Sequence, residues 1–86
     1  MTWKVLIHRD ARKVLQRLDR LARQRIAEKI QALGDKPDDP VLDVKPLLGS
    51  PVYRLRVGGW RIIFSRDDVL RIIAVEQIKP RGDAYK

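Results

Sequence analysis

Two adjacent glycines, Gly58-Gly59, stand between two runs in which apolar and basic residues alternate, 52–57 and 60–66. Glycine accepts the positive φ angles that primed two-residue turns require, and those turns match the twist of paired strands, so the segment is read as a β-hairpin. A loop closed at this dipeptide fixes the register. Val57 then lies opposite Trp60, Arg56 opposite Arg61, Leu55 opposite Ile62 and Arg54 opposite Ile63. Side chains alternate along a strand, so Tyr53, Leu55, Val57, Trp60, Ile62 and Phe64 share one face, and Arg54, Arg56 and Arg61 share the other. The first face needs a packing partner. The second sets two guanidiniums directly cross-strand, where like charges cost stability.

The packing partner is found upstream. Residues 3–7 read as a short strand. Asp10 then offers an N-cap ahead of Ala11, Val14, Leu15 and Leu18, whose spacing is helical. The stripe continues through Ala22, Ile26, Ala27, Ile30 and Leu33 to Gly34, where Asp35-Lys36-Pro37-Asp38-Asp39-Pro40 supplies a stop and a loop. One unbroken helix over 11–33 would be roughly 34 Å long at ~1.5 Å per residue, so a helical hairpin bending near Asp19 is expected. A linker containing Lys45-Pro46 and Gly49-Ser50-Pro51 leads into the glycine hairpin, and Asp67-Asp68 is read as a two-residue turn into a long apolar strand over 69–78. The expectation is a single α+β domain over residues 1–86: an N-terminal strand, a helical hairpin, then an antiparallel three-stranded meander, forming a two-layer domain of sheet plus helices.

Composition narrows the chemistry. The 86 residues include no cysteine and one histidine, which excludes disulfides, thiolate metal sites and histidine-rich metal sites, so neither metal nor cofactor is expected. The N-terminal apolar run is too short for a signal segment or a membrane span, and a cytoplasmic protein with no membrane partner is expected. Nineteen Lys and Arg against eleven Asp and Glu give a net charge of +8, most of the excess being arginine. A planar guanidinium binds phosphate or carboxylate in two-pronged fashion, so the partner is expected to be nucleic acid, an acidic protein, or each in turn. Arg9, Arg12, Lys13, Arg17, Arg20, Arg23, Arg25 and Lys29 fall on the polar sides of the helices, where solvated charge is ordinary.

The arginines of the hairpin are different, because a face that sets like charges against each other is useful when an anion visits it, and a phosphodiester matches clustered guanidiniums. Repair from within the chain is the competing reading. A two-residue Asp67-Asp68 turn would place Ala74 opposite Arg61 and send Glu76 to the arginine face as an ion-pair partner. A one-residue change in either turn would undo that assignment. His8 ends the first strand away from the arginines and is given a structural role.

The chain also resembles the RelE/ParE superfamily of toxins. The resemblance spans nearly its whole length: a short strand and two helices, the motif Lys45-Pro46-Leu47-Leu48-Gly49, and the run Tyr53-Arg54-Leu55-Arg56-Val57-Gly58-Gly59-Trp60-Arg61-Ile62-Ile63-Phe64. The strand Val69-Leu70-Arg71-Ile72-Ile73-Ala74-Val75 and the tail Lys79-Pro80-Arg81-Gly82-Asp83-Ala84-Tyr85 complete it. The resemblance implies an antiparallel sheet on a helical hairpin, and a toxin neutralised by a cognate antitoxin. It further implies one of two targets: messenger RNA on the ribosome for RelE-like members, DNA gyrase for ParE-like members, which lack the catalytic set.

Carried over position by position, the resemblance makes Arg54, Arg56 and Arg61 the basic catalytic cluster, Arg81 the tail arginine and Tyr85 the aromatic that stacks on or orients a nucleotide. Lys45 and Lys79 are expected to bind RNA. In the reaction so implied, the ribose 2′-hydroxyl attacks the adjacent phosphate. The enzyme removes that proton, stabilises the added phosphate charge and protonates the leaving 5′-oxygen. Arginines suit the middle task, but a guanidinium rarely gives up its proton. The family often shows lysine on the first hairpin strand, and this chain departs from that pattern, which leaves Glu76, Lys79 and Tyr85 as candidate general bases. The expected function is therefore a ribosome-dependent endoribonuclease. A non-enzymatic gyrase inhibitor is the first alternative, and a degenerate toxin that only binds its antitoxin and nucleic acid is the second.

Overall fold

A computed structural model describes residues 3–80 of the chain. The first strand, β1 (Lys4–Ile7), leads into helices α1 (Arg9–Arg17) and α2 (Arg20–Asp35). Four strands follow: β2 (Val44–Pro46), β3 (Val52–Val57), β4 (Trp60–Asp67) and β5 (Ile72–Pro80). They form one five-stranded sheet in the order β1-β5-β4-β3-β2, with β1 parallel to β5 and the other neighbours antiparallel. The α+β class and the helical hairpin are as the sequence indicates, and the sheet has one strand more than the N-terminal strand and three-stranded meander expected, because β2 adds an outer edge.

The break between the helices falls where the sequence places it. Leu18 leaves helical geometry with ψ 153°, and the Asp19 carboxylate accepts the Ala22 N–H at 3.3 Å, capping α2. The start of α1 is corrected by two residues. His8 is the cap, its Nδ1 accepting the Asp10 N–H at 3.1 Å, and Asp10 sits inside the first turn, where a carboxylate complements the helix dipole. The sole histidine thus has a structural task. At the far end α2 runs one residue past Gly34, and the Lys36 N–H closes it on the Ala32 carbonyl at 3.0 Å.

One sheet face carries the core. Leu55, Val57, Ile62, Phe64, Ile73, Val75 and Ile78 meet Ala11, Ile26, Ile30 and Leu33 from the helices, and Tyr53 stacks on Phe64 with ring centroids 5.6 Å apart. Arg66 closes this face at its edge. It lies between the Trp3 and Tyr53 rings, 5.0 and 6.0 Å from their centroids, and donates to Asp38 (2.9 Å) and Asp68 (2.8 Å). Those two carboxylates, Asp68 first, hold Arg66 still more firmly protonated than a free guanidinium.

The turn between β4 and β5 departs from expectation, and the departure matters for the site. The Asp67 carboxylate accepts the N–H groups of Val69 (3.0 Å) and Leu70 (2.9 Å), and Arg71 takes a left-handed φ of 56°. This local capture lengthens the turn to residues 68–71, so β5 begins at Ile72 opposite Asp67. A bulge between Ile63 and Phe64 then shifts the register again: Phe64 pairs with Val75, Ile63 with Gln77, and Glu76 is the extra residue.

Candidate functional site

The first hairpin forms in the expected register, with Val57 opposite Trp60, Arg56 opposite Arg61, Leu55 opposite Ile62 and Arg54 opposite Ile63. Of the two turn glycines, Gly58 takes a positive φ, 57°. The helices cover the Leu55/Ile62 face, so the arginine face is the one they leave open. Across it the cross-strand partners form a row, Arg56 on β3, Arg61 on β4 and Lys79 on β5. Beside it runs a second row, Lys45 on β2, Arg54 on β3, Ile63 on β4 and Gln77 on β5. Five of the residues singled out in the sequence are therefore brought together: Lys45, Arg54, Arg56, Arg61 and Lys79.

Glu76 is not among them. Arg61 is opposite Lys79 rather than Ala74, and Ala74 is opposite Ser65. The longer turn and the bulge put Glu76 three residues before Lys79, about 10 Å along the strand. There it lines a shallow cleft with Leu6, His8, Asp10 and Gln77, and a second one that runs past Gln77 to Lys79. Arg81 and Tyr85 lie outside the described residues.

The carboxylate that does reach the arginines is one the sequence reading passed over. Asp43 precedes β2. Its Oδ1 accepts from Arg54 Nη2 at 3.3 Å, its Oδ2 is 3.9 Å from Arg56 Nε, and its backbone carbonyl accepts the Arg56 N–H at 3.0 Å. Arg54 is buried, 8% exposed, while Arg56 and Arg61 are partly exposed. Among the described residues the Nε atoms of Arg54 and Arg56 are buried and make no hydrogen bond. A signal for Asp43 did exist in the sequence: Asp43 and Lys45 are two apart and flank Val44, the alternation of a strand, but Pro46 ends that run after three residues and disguises it as linker.

Chemically, this surface offers a line of cations about one strand spacing apart, roughly 5 Å, on a rigid sheet. Guanidiniums supply paired donors to phosphate oxygens, and the lysine supplies an amine that can exchange a proton, which the guanidiniums do not. Among the described residues no cluster of His, Cys, Asp or Glu could hold a metal ion, and no helix is long and apolar enough to cross a membrane. The eight basic residues on the helices are exposed and stand on the opposite layer from this row.

Comparison with known proteins agrees with the fold. The family model for the ParE toxin of type II toxin–antitoxin systems, parDE, matches residues 5–85. The chain is 30% identical over 87 residues to an Escherichia coli protein described as a RelE-like toxin, covering 99% of this chain and 92% of that one. A chain of the archaeal RelE–RelB complex from Pyrococcus horikoshii OT3 superposes with a TM-score of 0.84 at 34% identity, covering 95% of this chain and 98% of that chain. For the RelB–RelE complex from Methanococcus jannaschii the values are 0.77, 25%, 94% and 95%.

Proposed function

Because the chain belongs to the ParE toxin family of type II toxin–antitoxin systems, in the RelE/ParE superfamily, we propose that it is the RNA-cleaving kind of toxin: a ribosome-dependent endoribonuclease acting on messenger RNA in the cytoplasm. The observation that carries this reading is the cross-strand row Arg56, Arg61 and Lys79 on the open sheet face. A surface that only had to dock on a folded protein has no need to line up three cations across three strands. A phosphate in an attacked, more highly charged state does, since fixed donors aimed at developing charge stabilise it without reorganisation.

In the reaction, the 2′-oxygen forms a bond to the adjacent phosphorus and the bond from phosphorus to the 5′-oxygen breaks. Arg56 and Arg61 hold the phosphoryl oxygens. Lys79, whose amine can take up and release a proton, takes the place expected for Glu76: it accepts the proton of the 2′-hydroxyl and returns it to the departing 5′-oxygen. Lys45 extends the cationic track toward the β2 edge and guides the RNA backbone. Arg81 and Tyr85 lie beyond β5 in the sequence, outside the described residues, and the roles of charge donor and nucleotide-stacking aromatic are assigned to them by resemblance. The partner in the resting state is a cognate antitoxin, as for the RelE chains of the RelE–RelB complexes.

The test is induction of the toxin in cells, followed by mapping of messenger RNA 5′ ends, with a gyrase supercoiling assay on the same purified protein. New ends confined to translated regions are expected, vanishing when initiation is blocked, together with unimpaired supercoiling. Intact messages with inhibited supercoiling would transfer the basic face to the gyrase-binding reading.

A further inference from the structure

Asp43 has no task in the reaction just described, yet it is the carboxylate that the two arginines of β3 share. Its position is fixed twice, by the backbone hydrogen bond from Arg56 and by the Arg54 guanidinium. The two arginines are not equivalent. The Arg54 side chain is 9% exposed and the Arg56 side chain 38%. A guanidinium so buried cannot meet an RNA backbone crossing the face, but it can anchor a carboxylate. Asp43 Oδ2 in turn lies 3.9 Å from Arg56 Nε, an ion pair without a hydrogen bond, so the Arg56 guanidinium keeps its donors for a phosphate while a fixed negative charge stands beside it.

We infer that Asp43 is a positioning residue: anchored by Arg54 and by the backbone hydrogen bond from Arg56, its carboxylate restrains the Arg56 guanidinium by charge and so orders it for the scissile phosphate. The inference rests on the RNA-cleaving reading for its kinetic consequence, and it moves Arg54 from contact with substrate to support of the residue that makes it. An arginine ordered before the substrate arrives loses less rotamer freedom in the transition state, which is worth about a three- to tenfold change in rate.

The test compares wild type with Asp43→Asn, which keeps an oxygen for Arg54 to bond but removes the charge. Cleavage of message on programmed ribosomes is measured, and the arginine Nε–Hε resonances of the isolated toxin are recorded by NMR. The expected result is a kcat about three- to tenfold lower with KM unchanged or reduced, since the face becomes more positive. The Arg56 Nε–Hε signal shifts and broadens while backbone amides away from β2 and β3 keep their positions. Arg54→Lys, which keeps the charge but loses the fork, reproduces the same pattern. An unchanged kcat and Arg56 signal in a folded Asp43→Asn protein would overturn the inference. So would activity that falls only in proportion to the unfolded fraction. If the wild type cuts no RNA but its Arg56 signal responds to Asp43→Asn, the endoribonuclease reading falls and the positioning contact stands.

Discussion

Strand β4 carries arginines on both of its faces, and they are neutralised in opposite ways. On the helix side, Arg66 is one guanidinium with two carboxylates, Asp38 and Asp68, and two aromatic rings around it. On the open side, Arg61 stands between Arg56 and Lys79, and two guanidiniums of β3 divide one carboxylate, Asp43. An arginine in excess acid closes a structure. A row of cations on the open side of a sheet can receive the negative charge of a phosphate. The described neighbours, two carboxylates and two rings around Arg66 and cations on both adjacent strands for Arg61, distinguish the structural arginine from the candidate functional one.

Substituting the two arginines of β4 in turn should break this contrast if it is false. Arg61→Ala has the largest expected effect, and it falls on the reaction: loss of one donor to a charged transition state is worth on the order of 2.7–4 kcal/mol, roughly a 100- to 1,000-fold fall in cleavage on programmed ribosomes. Its thermal melt should change little beside that loss, because the cross-strand repulsion with Arg56 is removed together with the contacts Arg61 makes. Arg66→Ala should do the reverse. Stability measured by urea unfolding falls by about 2 kcal/mol, mostly through lost packing of the side chain between Trp3 and Tyr53 rather than through its exposed carboxylate partners, while cleavage per folded molecule is retained. A swap of these outcomes would contradict the assignment of both residues.

The smallest effect is in acid. A hydrogen bond from Arg66, and then its charge, hold the Asp38 carboxyl below the usual carboxylate range. Its folded value is thus lower than its unfolded one, so the stabilisation is complete at pH above the unfolded value and is lost as pH falls through the folded value. Urea unfolding at intervals from about pH 6 down to about pH 3 should therefore show the stability gap between wild type and Arg66→Ala narrowing in the most acidic samples. A gap constant over that range would remove Asp38 from the account.

How far the sequence could be read depended on how local the deciding interaction was. The Gly58-Gly59 turn carries its own conformational requirement, so it gave the register of β3 and β4 and hence the arginine face. Asp67-Asp68 looks like an equally short turn, but a carboxylate that bonds two amides ahead of it and a left-handed Arg71 lengthened the loop, and the bulge beyond Phe64 displaced Glu76. Neither event has an alternation signature. The parallel pairing of β1 with β5 joins segments nearly 70 residues apart in sequence, Lys4 with Ile72, and no local pattern encodes it. Asp43 escaped for a related reason: its partners are fixed only when the three-residue β2 adds to the sheet edge.

The claim at the centre of this account is that the open basic face performs phosphodiester chemistry. The most direct measurement is the chemistry of the RNA ends made by the purified toxin on ribosomes programmed with a defined message. Attack by the 2′-hydroxyl predicts an upstream fragment ending in a 2′,3′-cyclic phosphate and a downstream fragment beginning with a 5′-hydroxyl, both formed about 100- to 1,000-fold more slowly with Arg61→Ala. Message left uncut by the wild type, or fragments bearing 5′-phosphates, would contradict it.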